Sequence, residues 1–243
     1  QQCRATLELL TDLGLQPQEI LPASTGVIGQ PLKMDRWAQG VQVLQKTLGQ
    51  TTLAQAARAI MTTDTFPKIA TQERQFSGSN IRLAGFAKGA GMICPQMATM
   101  LGFILCDAQV DPQWWQEVLT RCVDQSFNAI TVDGDTSTND CVLALANGYA
   151  GPVTDEELQD LEAAVLKICQ DLAYMIVQDA EGGTRVMRIQ VTGAASKEDA
   201  QLAARAVGNS PLVKTALYGQ DPNWGRIVAA LGRSGAQFRP QQV

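Results

Sequence analysis

Residues Leu101 to Asp107, Leu-Gly-Phe-Ile-Leu-Cys-Asp, are apolar at almost every position. A half-buried strand alternates apolar and polar side chains, and this run has no polar face before its end. It predicts a strand buried on both faces, which requires the interior of a covered sheet. Ile81 to Ala87 predicts a second strand. Val186 to Thr192 predicts another, because Met187, Ile189 and Val191 alternate with Arg188 and Gln190. Ala129–Asp133 and Cys141–Ala146 are short strand candidates around a polar turn.

Helical patterns are interspersed among the strands. Asp35 to Leu48 carries Trp37, Val41, Leu44 and Leu48 at spacings of three and four. Thr51 is placed to cap an Ala-rich helix reaching about Ile60, and Asp111-Pro112 opens one reaching about Ser126. Thr154-Asp-Glu-Glu157 reads as a capping box. The long helix after it places Leu158, Leu161, Val165, Ile168, Leu172 and Ile176 on one face. Ser196 starts a helix to about Val207, and residues 75–80 read as a loop. The mixture predicts an α/β or mixed α+β fold.

Among 243 residues there is no histidine. Ser–His–Asp triads, Cys–His pairs and His proton shuttles are therefore excluded within this chain. Acid–base or nucleophilic chemistry needs another proton acceptor. One such group is the α-amine of an N-terminal Thr, Ser or Cys acting on its own side chain. The six cysteines show no CxxC or zinc spacing and read as small buried hydrophobes in a reducing cytoplasm. With net charge −5 and no basic stripe, nucleic acid is not an expected partner. No apolar run approaches the roughly 18–20 residues that span a bilayer, so no membrane is expected either.

Several polar segments could carry chemistry, each with a plainer alternative. Pro22-Ala-Ser-Thr-Gly-Val-Ile-Gly29 suits an oxyanion cradle of outward backbone N–H groups, or a simple turn. Ala59-Ile-Met-Thr-Thr-Asp-Thr-Phe-Pro-Lys68 could bind a polar substrate, or satisfy the end of the preceding helix and start a turn. In Lys88-Gly-Ala-Gly-Met-Ile-Cys-Pro-Gln-Met-Ala-Thr-Met-Leu-Gly102 the glycines fit neither a dinucleotide fingerprint nor a P-loop. If the Thr99 hydroxyl attacked the preceding carbonyl and broke the Ala98–Thr99 bond, Thr99 would gain a free amine. Its reference pKa, about 7.7–8.0, suits a general base. The alternative is an ordinary threonine opening a strand. Val132-Asp-Gly-Asp-Thr-Ser-Thr-Asn-Asp140 lacks the central Gly and closing Glu of an EF-hand loop. Asp179-Ala-Glu-Gly-Gly-Thr184 is a second acidic loop. In Tyr218–Arg226 a fixed turn leaves Arg226 to clamp a carboxylate or to pair with Asp221.

Taken in series, Ala-Ser-Thr-Gly-Val-Ile-Gly, Met-Thr-Thr-Asp-Thr, Lys-Gly-x-Gly-Met-Ile-x-Pro-x-Met-Ala-Thr-Met-Leu, Asp-Gly-Asp-Thr-Ser-Thr-Asn-Asp, Glu-Gly-x-Thr and Asp-Pro-Asn-Trp-Gly-Arg-Ile resemble the ornithine acetyltransferase family of arginine biosynthesis, also called glutamate N-acetyltransferases. The resemblance spans about Pro22 to Ile227. It implies a layered sandwich of the N-terminal-nucleophile type. It also implies self-cleavage at Ala98–Thr99, giving an α-chain part (1–98) and a β-chain part (99–243) that stay together, as an α2β2 assembly. Thr99 would be the nucleophile, and Thr25 and Gly26 the oxyanion-hole pair. Thr62, Lys88, Thr99 and Glu181 would contact substrate. The implied reaction moves acetyl from N2-acetyl-ornithine to glutamate in the cytoplasm. No metal or redox cofactor is implied, and acetyl-CoA is an open second donor. A related N-terminal-nucleophile amidase or aminopeptidase is the alternative. Family members extend further at both ends, so the chain is expected to be truncated at each. Ala90 and Ala180-Glu-Gly-Gly183 depart from the family's commoner residues without removing a reacting group.

Overall fold

The structure, a computed structural model, describes residues 2–94, 100–136 and 139–239. Its helices are α1 (Gln2–Leu9), α2 (Met34–Thr47), α3 (Leu53–Ala59), α4 (Pro112–Asp124), α5 (Leu158–Gln178), α6 (Lys197–Gly208), α7 (Pro211–Tyr218) and α8 (Trp224–Gly232). Its strands are β1 (Lys68–Gln75), β2 (Asn80–Lys88), β3 (Leu101–Gln109) and β4 (Cys141–Pro152). The class is mixed α/β, as expected from the sequence. The sheet order is β1-β2-β3-β4. β1 and β2 form a hairpin in register from Lys68↔Ala87 to Gln75↔Asn80, with the predicted 75–80 loop at its tip. β2 and β3 are antiparallel, whereas β3 and β4 are parallel. A parallel pair needs a crossover, and α4 supplies it. Asp111 caps α4 by accepting the Trp114 N–H at 2.9 Å, with Pro112 in the first turn.

β3 is an interior strand, as its apolar run requires. Its burial is unequal on the two faces. Ile104, Cys106 and Ala108 are buried, while Phe103 and Leu105 on the other face are half-buried. There Phe103 stacks on Phe86 of β2 with ring centroids 4.8 Å apart, so the apolar residues of that face partly cover one another.

The buried face belongs to α5. Leu161, Val165, Ile168, Leu172 and Ile176 recur at helical spacing and are buried. Each such burial is worth about 1.5–3 kcal/mol. α5 packs across β1 and β2, and Gly85 allows the approach. A Cβ there would stand 2.5 Å from Ile168 Cγ2 and 2.9 Å from Leu172 Cδ1. Glu157 joins the helix start to the hairpin tip. Its carboxylate accepts the Thr154 N–H at 3.1 Å, the Ser77 N–H at 2.7 Å and the Ser77 hydroxyl at 2.8 Å.

Four local expectations are corrected. Thr52, not Thr51, caps α3, with its hydroxyl accepting the Gln55 N–H at 3.3 Å. Residues 129–133 are not a strand, because Thr131 Oγ1 and the Val132 N–H both donate to the Ile93 carbonyl instead of joining a ladder. Residues 186–192 form no strand either. Met187 and Ile189 pack on a small core of Val207, Val213 and Ala230, but no neighbouring strand lies beside them among the described residues. Alternation reports a buried face, whereas a strand also needs ladder hydrogen bonds. Arg226 donates to the Leu212 carbonyl at 2.9 Å and the Thr215 hydroxyl at 3.1 Å, tying α8 to α7 rather than pairing with Asp221. Among the described residues no helix is long and apolar enough to cross a membrane.

Gly85→Ala should therefore force α5 away from β2. The expected cost is about 1–3 kcal/mol, with secondary structure retained. Denaturant unfolding of the full-length protein followed by circular dichroism measures it, and an unchanged midpoint would contradict this packing.

Candidate active site

Lys88 closes β2 with only 2% of its surface exposed. Its Nζ donates to Thr62 Oγ1 at 2.8 Å and to Thr25 Oγ1 at 3.3 Å. Among the described residues it makes no ion pair. Burial pushes its pKa below the ordinary lysine value and Lys68 adds to that, with Asp64 and Asp140 pulling the other way. Three sequence-predicted residues, Thr25, Thr62 and Lys88, thus share one hydrogen-bonded set. Gly26 follows Thr25 in an exposed loop that ends in a turn where the Gln30 N–H donates to the Val27 carbonyl at 3.1 Å.

A buried ion cluster lies behind this set. Lys68 Nζ bonds Asp64 Oδ1 at 2.7 Å and Asp179 Oδ2 at 2.6 Å. Asp64 also accepts the Gly89 N–H at 2.7 Å and the Thr62 N–H at 3.1 Å. Asp179 accepts the Thr65 N–H at 2.9 Å and the Thr65 hydroxyl. Burial raises both carboxyl pKa values. For Asp64 the Gly89 N–H, Lys68 and the Thr62 N–H outweigh it, and for Asp179 Lys68 and Thr65 do. Both therefore sit below the usual carboxylate value.

Glu181 reaches the same neighbourhood through the backbone. Its N–H donates to the Ala90 carbonyl at 3.0 Å. A Cβ on Gly91 would lie 2.9 Å from the Glu181 carboxyl carbon, so glycine leaves the room that the carboxylate fills. Glu181 and Thr184 also line a cavity of about 610 Å³ beside α6 and α7, along with Lys214 and Tyr218. Thr25, Thr62 and Lys88 are not part of its lining.

The acidic loop that followed no recognisable metal pattern has a mechanical role. Asp133 accepts the Met92 N–H at 2.7 Å and the Ile93 N–H at 3.0 Å. Asp140 accepts the Met100 N–H at 2.8 Å, and the Cys141 N–H donates to the Met100 carbonyl at 3.2 Å. One loop thereby grips the chain on both flanks of residues 95–99. Asn139 Nδ2 donates to the Ser24 carbonyl at 3.2 Å, linking this loop to the segment holding Thr25 and Gly26. Ala98 and Thr99, the expected cleavage bond and nucleophile, lie outside the described residues. Burial lifts the Asp140 pKa to about 6 against the opposing Met100 N–H and Lys88, and its Oδ2 has no partner among the described residues.

Known proteins resemble this chain along almost its whole length. The chain is 55% identical over 243 residues to an arginine biosynthesis bifunctional protein ArgJ of Nitratidesulfovibrio vulgaris, covering 99% of this chain and 62% of that protein. A protein of the same name from Geobacter sulfurreducens is 52% identical over 245 residues, covering 99% and 62%. The crystal structure of arginine biosynthesis bifunctional protein argJ from Bacillus halodurans matches with a TM-score of 0.56 at 43% identity, over 58% of this chain and 68% of that one. The profile of the ArgJ family matches residues 1–243, and the chain belongs to that family. It spans about 62% of the length of these two curated relatives.

Asp140 sets a pH dependence. Its folded pKa is raised, so the folded state binds more protons than the unfolded state between the ordinary carboxylate value and about 6. Stability contributed by this group falls as pH rises through that window. Asp140→Asn removes the term. The variant's stability relative to the unsubstituted protein should rise with pH across the window and level off above it, as read from denaturant unfolding at stepped pH. A difference independent of pH would contradict the assignment.

Proposed function

We propose that the full-length protein transfers an acetyl group from N2-acetyl-L-ornithine to L-glutamate through an acetyl-threonine at Thr99, after cutting itself between Ala98 and Thr99. Membership of the ArgJ family and the names of its relatives favour arginine biosynthesis. The observation that carries the chemistry is the Lys88–Thr25 hydrogen bond. Thr25 Oγ1 accepts from the ammonium, which leaves its own O–H free to donate elsewhere. A hydroxyl polarised in this way suits a developing oxyanion.

The steps use no histidine, and these 243 residues contain none. The Thr99 hydroxyl attacks the acetyl carbonyl of acetyl-ornithine while its own α-amine takes the proton. The tetrahedral oxyanion accepts from Thr25 and the adjoining Gly26 N–H. Collapse breaks the C–N bond, and the proton passes to the departing ornithine amine. The glutamate amine then attacks acetyl-Thr99, giving acetylglutamate and free Thr99. Acetyl-CoA, whose thioester presents a similar carbonyl, is the second donor compatible with this nucleophile. Glu181 offers a carboxylate to a cationic amine, and Lys88 offers a cation to a substrate carboxylate.

Cleavage need not separate the two chains. β2 would belong to one product and β3 to the other, yet they pair from Leu83↔Cys106 to Lys88↔Leu101. α5, from the downstream product, also packs on β1 and β2. These contacts favour products that remain one folded unit.

A substitution series at Thr99 tests the reading in the full-length protein. Thr99→Val keeps branching and strand preference but loses the hydroxyl, and should be folded, uncut and inactive. Thr99→Ser keeps the hydroxyl and the future amine, and should cut and turn over more slowly. Gel electrophoresis and acetylglutamate production measure both. Normal cleavage and transfer by Thr99→Val would end the proposal, and free acetate without acetylglutamate would indicate an amidase.

A further inference from the structure

We infer that Lys68, Asp64 and Asp179 are positioning residues that hold the substrate-contact segments carrying Thr62, Lys88 and Glu181 in one arrangement. The inference rests on the acetyltransferase reading above, and names what sets the geometry of that site. The three side chains are almost fully enclosed, at 0% exposure for Lys68, 0% for Asp64 and 2% for Asp179. Each sits next to one of the segments. Asp64 is two residues after Thr62 and Asp179 two before Glu181. Lys68 is paired across the hairpin with Ala87, the neighbour of Lys88.

The hydrogen bonds run to the backbone of those segments rather than to the substrate-contact side chains. Asp64 accepts from the N–H of Thr62 itself and from the N–H of Gly89, the residue after Lys88. Gly89 has φ 149°, a conformation that other residues rarely adopt, so the chain leaves Lys88 in a direction that glycine permits and Asp64 fixes. Asp179 holds Thr65 through both its N–H and its hydroxyl. Lys68 is the side chain that joins the two carboxylates, and its Nζ also lies 4.9 Å from the centre of the Phe66 ring.

Stability alone does not account for the cluster. An enclosed ion pair loses hydration on burial, and apolar residues of the same volume often stabilise a core as well or better. What ions and directional hydrogen bonds add is a single set of angles and distances. Here that set relates Thr62, Lys88 and Glu181, which come from separate parts of the chain.

The test uses the self-processed full-length enzyme. In Asp64→Asn one carboxylate oxygen becomes an amide donor. It cannot serve the Thr62 N–H and the Gly89 N–H together, so one of the two segments must shift. The expected result is a rise in KM for acetyl-ornithine together with a fall of about tenfold or more in kcat/KM, the scale set by small misplacements of reacting and binding groups. Asp179→Asn should act in the same sense, and it carries the test if Asp64→Asn is not recovered folded. Leu172→Ala is the control: it destabilises the α5 core without touching the cluster, and should leave KM unchanged. Folded Asn variants with the unsubstituted enzyme's KM would overturn the inference while leaving the acetyltransferase reading intact. So would an equal KM rise in Leu172→Ala. An unsubstituted enzyme that makes no acetylglutamate would overturn both.

Discussion

A lysine closed off from solvent between two carboxylates is the interaction on which the site geometry depends. Lys68 opens β1, and its partners Asp64 and Asp179 come from the segment after α3 and from the end of α5. The contacts link the sheet, its covering helix and the loop leading into the hairpin at one point. Across the hairpin stands a second buried lysine with different company. Lys88 is held by two threonine hydroxyls, and burial lowers its pKa. The first lysine is paired with two carboxylates, whereas the second has hydroxyl partners and no ion pair among the described residues. Adjacent strands thus hold two buried lysines, one between carboxylates and one between threonine hydroxyls.

The acidic loop holds the chain that follows this hairpin. Asp133 fixes the chain as it leaves β2, and Asp140 fixes it as it enters β3. Residues 95–99 run between two anchored points in sequence. Fixed flanks on both sides would favour the self-cleavage proposed above, because orientation contributes much of the advantage of an intramolecular reaction. Asp133 accepts the N–H groups of Met92, Ile93 and Asp135, which gives the first carboxylate of the Asp-x-Asp sequence a structural role.

Most of the central architecture was legible in the sequence. The apolar run of β3, the alternation of β2 and the helical stripe of α5 each bury a continuous face, and periodicity reports burial. The misses have physical causes. β1 reads Lys-Ile-Ala-Thr-Gln-Glu-Arg-Gln and shows little hydrophobic pattern, because it is an edge strand whose one enclosed charge, Lys68, is neutralised by partners remote in sequence. Residues 186–192 show a clear alternation and yet form no strand, since periodicity carries no information about the neighbour that completes a ladder. At the site, the motifs point to Thr25, Thr62 and Lys88, and these three converge. From the sequence, Asp64 and Asp179 read only as members of polar loops. The i, i+4 spacing of Asp64 and Lys68 was the available local signal, but 111 residues separate Lys68 from Asp179, and nothing in the sequence joins them.

The central claim is that a chain without histidine carries an acyl group on a threonine that supplies its own base. It is tested most directly by mass spectrometry of the full-length protein after exposure to acetyl-ornithine without glutamate. The account predicts an acetyl group on the peptide whose amino terminus is Thr99, bound as an ester and discharged into acetylglutamate when glutamate is added. Transfer that proceeds while the peptide beginning at Thr99 is never acetylated would contradict it.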